Sequence, residues 1–134
     1  MGYIEGEENP LEKWLGEFLE RREAIVRKLN PKSEEEIVRY FTYSNMKTNE
    51  KDFCPLYSKN QKCHSLSESE LNCYLCACPF YDPSLWDAEN KQYGNCIIGS
   101  KSGFRNEFGY WDCSNCILPH TKKFVLQYLK KHLR

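Results

Sequence analysis

The sequence predicts an α-plus-irregular fold: a small metal-stapled, cysteine-rich domain with short strands, flanked by N-terminal and C-terminal amphipathic helices. Three observations predict it. Helical periodicity marks the two ends of the 134-residue chain and fades between them. All eight cysteines fall between Cys54 and Cys116. The stretch that holds them is rich in Asn, Ser, Gly, Pro and aromatics, the composition of turns and short irregular strands. The resulting organisation is a helical segment over 1–42, a cysteine-rich metal-binding domain over 43–120, and a C-terminal helix over 121–134 that packs on it.

Leu11, Trp14, Leu15, Phe18, Leu19, Ile25, Val26 and Leu29 recur at three- and four-residue steps, so the first element is a helix with one apolar face. Asn9 followed by Pro10 suits an N-cap and first helical position, and Asn30-Pro31 stops the helix. A second, shorter helix starts at Ser33, where Ser33 and Glu36 form a capping box and Ile37, Val38, Tyr40 and Phe41 make the buried side. From Phe41 to His120 the rhythm disappears. Phe80, Tyr81, Trp86, Tyr93, Phe104, Phe108, Tyr110 and Trp111 are expected to pack around metal sites and exclude water. The last helix, Thr121 to Leu133, buries Phe124, Val125, Tyr128 and Leu129, with Lys130, Lys131 and Arg134 placed where the helix dipole favours cations. His132 is expected to be solvated. No internal repeat of useful length is visible.

A loop-rich region inside a compact domain is ordinarily a poor reading. Coordination bonds remove the objection, since one structural zinc supplies about 10–16 kcal/mol of folding free energy. Disulfides are the competing use of so many cysteines. The acidic opening MGYIEGEEN lacks the basic and apolar regions of a secretory signal, and no stretch has the length and apolarity of a membrane span. The expectation is therefore a cytoplasmic protein whose thiolates bind metal. Net charge is zero, which gives no support to nucleic-acid binding. Six acids and one base lie in residues 1–20, five bases and no acid in 121–134.

The candidate ligands are Cys54, Cys63, Cys73, Cys76, Cys78, Cys96, Cys113 and Cys116. A two-residue spacer lets both thiolates of a turn face one ion, and the pairs Cys73/Cys76 and Cys113/Cys116 both have it. One partition joins those two pairs and leaves Cys54, Cys63, Cys78 and Cys96 for a second set. Cys76 and Cys78, one residue apart, project to one face of an extended chain and serve one cluster or two neighbouring metals. His64 and His120 adjoin the pattern as additional ligands or as residues that orient ligands. Proline directly after cysteine, at Pro55 and Pro79, resembles bacterial ferredoxin runs and points to an iron–sulfur cluster for at least one site. Zinc throughout is the alternative, because the ligand types are common to both.

The order Cys54, Cys63-His64, Cys73-x-x-Cys76-x-Cys78-Pro79, Cys96, Asp112-Cys113-Ser114-Asn115-Cys116, Pro119-His120 resembles the cysteine-rich small domain family of bacteria and archaea over residues 41–123. The resemblance implies metal binding. Some members are fused to threonine-phosphate decarboxylase-like enzymes, so it also implies an accessory role to a partner enzyme, such as one of cobalamin biosynthesis.

Three functions follow as expectations. The first is a metal-binding accessory module that docks on a protein partner through its N-terminal helix or an aromatic surface. The second is iron–sulfur electron transfer, and the third a zinc-ribbon-like nucleic-acid module. Catalysis has less to support it. Cys63-His64 offers a nucleophile beside a base, but adjacent side chains seldom point at each other. Cys113-x-x-Cys116 lacks the βαβ setting of a thioredoxin-like motif.

Overall fold

The computed structural model describes residues 9–132. Four helices and two small antiparallel sheets make a mixed α/β arrangement. The chain divides into two compact units. A hairpin unit takes the chain up to Glu20 and Ala77–Cys116, and a helical unit takes Arg21–Cys76 and the chain from Ile117 onward.

Helix α1 spans Pro10–Leu29. Asn9 caps it as the sequence predicts, its side-chain oxygen accepting the Glu12 N–H at 2.8 Å. Asn30 ends it with φ 47°, a left-handed conformation that asparagine tolerates and helices use to stop. Helix α2, Glu34–Tyr40, starts from Ser33, whose hydroxyl accepts the Glu36 N–H. The capping box is displaced by one residue, because the Glu36 carboxylate reaches the Lys32 N–H instead of that of Ser33. Helix α3, Tyr43–Asn49, lies where the periodicity reading ended regular structure. Helix α4 covers Lys122–His132, with Val125 and Leu129 buried, and it packs on α2. The predicted positions Leu133 and Arg134 lie outside the described residues.

The core of the helical unit is Phe41, Met46, Leu71, Leu75, Val125 and Leu129, all fully buried. Phe41 meets Tyr74 and Phe53 edge-on, with centroids 5.1 Å and 5.9 Å apart. Backbone bonds from Tyr43 N–H to Leu71 O and from Cys73 N–H to Phe41 O fasten the α2–α3 junction to the segment that carries Cys73. The buried Arg22 lies with its guanidinium 4.2 Å from the Tyr74 ring centroid and donates to the Tyr74 carbonyl. Burial of this charge is offset by the ring face and the carbonyl dipole.

In the hairpin unit, strands β1 (Tyr81–Asp87) and β2 (Gln92–Cys96) pair antiparallel, with the register broken between Asp82 and Trp86. Pro83 has no N–H to give a ladder, so a break there is where the sequence permits one. Strands β3 (Phe104–Arg105) and β4 (Trp111–Asp112) form a second hairpin. The Arg105 guanidinium donates to the carbonyls of Tyr93, Gly94 and Gly109, tying the second hairpin to β2. Trp86, Tyr93 and Tyr110 stack on one another at 4.3–6.2 Å. Phe104 and Phe108, expected to pack around metal sites, are 44% and 68% exposed. The two-residue strand β3 has no partner face beyond β4 to cover them. No helix among the described residues is long and apolar enough to cross a membrane.

Candidate metal centres

No disulfide joins any of the eight cysteines. They sort four and four between the units. The hairpin unit holds Cys78, Cys96, Cys113 and Cys116, and the helical unit holds Cys54, Cys63, Cys73 and Cys76. Electrostatic neighbours follow the same division. Cys113 feels Cys78, Cys116 and Cys96, whereas Cys54 feels Cys73 and Cys63. The partition that joined Cys73/Cys76 to Cys113/Cys116 runs across this division, and Cys76 and Cys78 fall on either side of it.

Both two-residue spacers are built the same way. Cys76 N–H donates to Cys73 O at 3.4 Å and Cys116 N–H to Cys113 O at 2.9 Å, closing each turn. In front of each turn stands a short amide or acid that accepts the N–H two residues on. Asn72 Oδ1 takes Tyr74 N–H at 3.0 Å, and Asp112 Oδ1 takes Ser114 N–H at 2.8 Å. Sequence reading did not single out Asn72, and Asp112 entered it only within the stretch Asp112-Cys113-Ser114-Asn115-Cys116. The five-residue pattern Asn/Asp-Cys-x-x-Cys, present twice, was the available signal.

In the hairpin unit, burial pushes the Cys113 thiol up to about 11, with the neighbouring Cys78, Cys116 and Cys96 adding to it. Cys78 is raised for the same reasons, burial first. Its sulfur accepts the Phe80 N–H at 3.4 Å, and Ser100 Oγ donates to Cys116 Sγ at 3.6 Å. Donors aimed at sulfur favour thiolate, while burial and mutual repulsion oppose it. A bound cation would resolve that opposition.

In the helical unit the Cys76 thiol is the shared proton donor. Its hydrogen bonds to Cys63 and Cys73 push its own thiol well up. The same bond leads the causes that pull Cys73 down and Cys63 down to about 4, and His64 and His120 add to the effect on Cys63. Cys63 is exposed, Cys73 buried, and Cys54 and Cys76 are in between.

His64 and His120 enter here. Ligand atoms of Cys63, His64 and His120 all lie within 4.8 Å of one another, and no other such trio occurs among the described residues. Thus Cys63 and His64, whose side chains were expected to point apart, converge. The imidazoles of His64 and His120 stack with centroids 4.0 Å apart. His120 is buried, and that burial holds its pKa below the ordinary value, the neutral form a metal ligand needs. Its Nδ1 faces the Asn72 carbonyl at 3.2 Å. His132 is exposed, as expected.

No family model matches the chain, and neither a curated protein nor a solved structure matches it.

Proposed function

We propose that the chain is a metal-binding accessory module with two thiolate centres, one in each unit, that serves a partner protein. The observation that carries this reading is the four-and-four sorting of the cysteines. Four thiolates complete the coordination of one tetrahedral ion or of one cluster. Cys78, Cys96, Cys113 and Cys116 would hold the group of the hairpin unit, and Cys54, Cys63, Cys73 and Cys76 that of the helical unit. Each bound group supplies positive charge that lets crowded thiols ionise, and with it folding free energy. The resemblance to the cysteine-rich small domain family adds a candidate partner, an enzyme of cobalamin biosynthesis.

An iron–sulfur cluster with a redox role is the second reading, for the hairpin unit. Among the described residues, neither set of four cysteines has three sulfurs within 4.8 Å of one another. A cluster spreads its ligands over several iron ions and accepts wider spacing than a single zinc. The Cys78-Pro79 pair points the same way.

Metal analysis with a visible spectrum, on protein purified without oxygen, tests both. Two stoichiometric centres support the module. Brown colour with iron and sulfide assigns the hairpin unit to redox chemistry, whereas colourless protein with zinc removes that option. Protein without stoichiometric metal overturns the proposal as a whole.

A further inference from the structure

We propose that the helical unit binds a second divalent cation, of the zinc or cobalt(II) type, on Cys63, His64 and His120, with the Cys63 thiolate shared between this ion and the one held by Cys54, Cys73 and Cys76. The inference rests on the two-centre reading above and adds an ion to it.

The argument starts from the number of donors. A tetrahedral ion takes four. The helical unit contains six candidate donors, its four cysteines and two histidines, of which Cys63, His64 and His120 converge within 4.8 Å. Bond lengths of about 2.0–2.3 Å put the ligand atoms of one tetrahedral ion about 3.3–3.8 Å apart. Cys63, His64 and His120, all within 4.8 Å, need to close by at most about 1.5 Å to reach that spacing.

Cys63 is the one residue that belongs to both groups. Its sulfur lies within 4.8 Å of ligand atoms of both His64 and His120, and it shares the helical unit with Cys54, Cys73 and Cys76. A thiolate has lone pairs enough to bridge two ions.

His120 is oriented as a ligand. A carbonyl can only accept, so the contact of Nδ1 with Asn72 O at 3.2 Å places the ring proton on Nδ1 and leaves the Nε2 lone pair for a metal. Asn72 is itself held rigidly. It is fully buried, its N–H donates to His120 O at 2.8 Å, and its Nδ2 donates to Val38 O at 2.8 Å. The stacked pair of imidazoles also suits neutral ligands better than two cations.

With three protein ligands this ion has an open fourth place for water or a small donor, which structural sites lack. Because Cys63 is exposed, solvent and ligands reach it. Two imidazoles with one thiolate suit zinc and cobalt(II) better than magnesium or calcium.

The test counts ions by native mass spectrometry after the metal-free chain is loaded with Zn2+ under reducing conditions. Four samples are compared: wild type, His64→Ala, His120→Ala, and Cys113→Ser with Cys116→Ser. Three ions are expected in the wild type and two in each variant, since each removes one site. If the hairpin unit takes no zinc, the expected counts are two in the wild type, one in each histidine variant, and two in Cys113→Ser/Cys116→Ser. A wild-type count of two that falls to one in Cys113→Ser/Cys116→Ser leaves the two-centre reading standing and overturns the shared-thiolate site. Counts unaffected by both histidine changes also overturn it. A wild type that binds no zinc overturns the inference and the two-centre reading for zinc together. Should a histidine variant fail to fold, the other two samples decide: three ions in the wild type, or two in both wild type and Cys113→Ser/Cys116→Ser, support the site, and any lower count overturns it. Should Cys113→Ser/Cys116→Ser fail to fold, loss of one ion in either histidine variant supports the site and no loss overturns it.

Discussion

At the residue scale, ligand types were legible in the sequence and the side chains that hold them were not. Cysteine announces itself by its rarity. Asn72 does not, because asparagine is ordinary in a turn-rich stretch and its burial arises only when residues 41–43 and 71–73 pair. Asn72→Ala strips the Tyr74 N–H and the Val38 carbonyl of their side-chain partner. The Val38 carbonyl keeps the Thr42 hydroxyl at 3.1 Å, so one buried orphan remains, the Tyr74 N–H, and chemical denaturation of the metal-loaded protein is expected to show a loss of about 1–3 kcal/mol. Glu50 carries a pH dependence. Burial alone would raise its carboxyl, but hydrogen bonds from Lys28 Nζ, at 2.6 Å, and from the Tyr40 hydroxyl outweigh burial and hold it below the usual range. A carboxyl depressed in the folded state stabilises above its unfolded value of about 4.3, and that contribution fades as pH falls through the folded value. Wild type is thus expected to exceed Glu50→Gln in melting temperature at pH 7, and the gap to narrow below about pH 4.3.

Elements were read well where local chemistry dictates them. Helix α1 begins and ends at the residues its caps predict, since Asn9, Pro10 and Asn30 act on their own neighbours. Helix α3 escaped the periodicity reading. Its seven residues, YSNMKTN, bury only Tyr43 and Met46, too few to write a rhythm, and it is fixed by pairing with 68–71. On α1, Phe18 is 4% exposed and Trp14 is 42% exposed. Phe18→Ala should cost about 3–5 kcal/mol. Trp14→Ala should cost about 0.5–1.5 kcal/mol, the value of its ring contacts with Phe18 and Tyr81. Thermal melts that rank Trp14→Ala with Phe18→Ala would make that face core and end the case for docking through it. In the second hairpin Gly109 has φ +91°, and a Cβ there would run into the Lys91 carbonyl. Gly109→Ala is therefore expected to destabilise by well over about 1 kcal/mol, seen as a lowered melting temperature.

For the whole molecule, the sequence indicated metal ligation in general and left open which cysteines converge, because spacing along the chain says nothing about which segments return to one place. The grouping depends on Cys54 and Cys63 meeting the Cys73 turn, and on Cys96 meeting the Cys113 turn, across loops without regular structure. Complete chelation is expected to abolish near-ultraviolet circular dichroism from the aromatic clusters while far-ultraviolet helical signal falls less. An unchanged near-ultraviolet spectrum would show that packing alone orders the chain.

Residues 77–116 are a 40-residue insertion between two parts of the helical unit, and its first and last cysteines, Cys78 and Cys116, neighbour each other electrostatically. A group bound there would work as a clasp joining the first and last cysteines of the stretch. Opening the clasp releases a long loop whose closure entropy grows only with the logarithm of its length. The helical unit is thus expected to outlast the loss of that group, seen as far-ultraviolet helical signal retained after chelation.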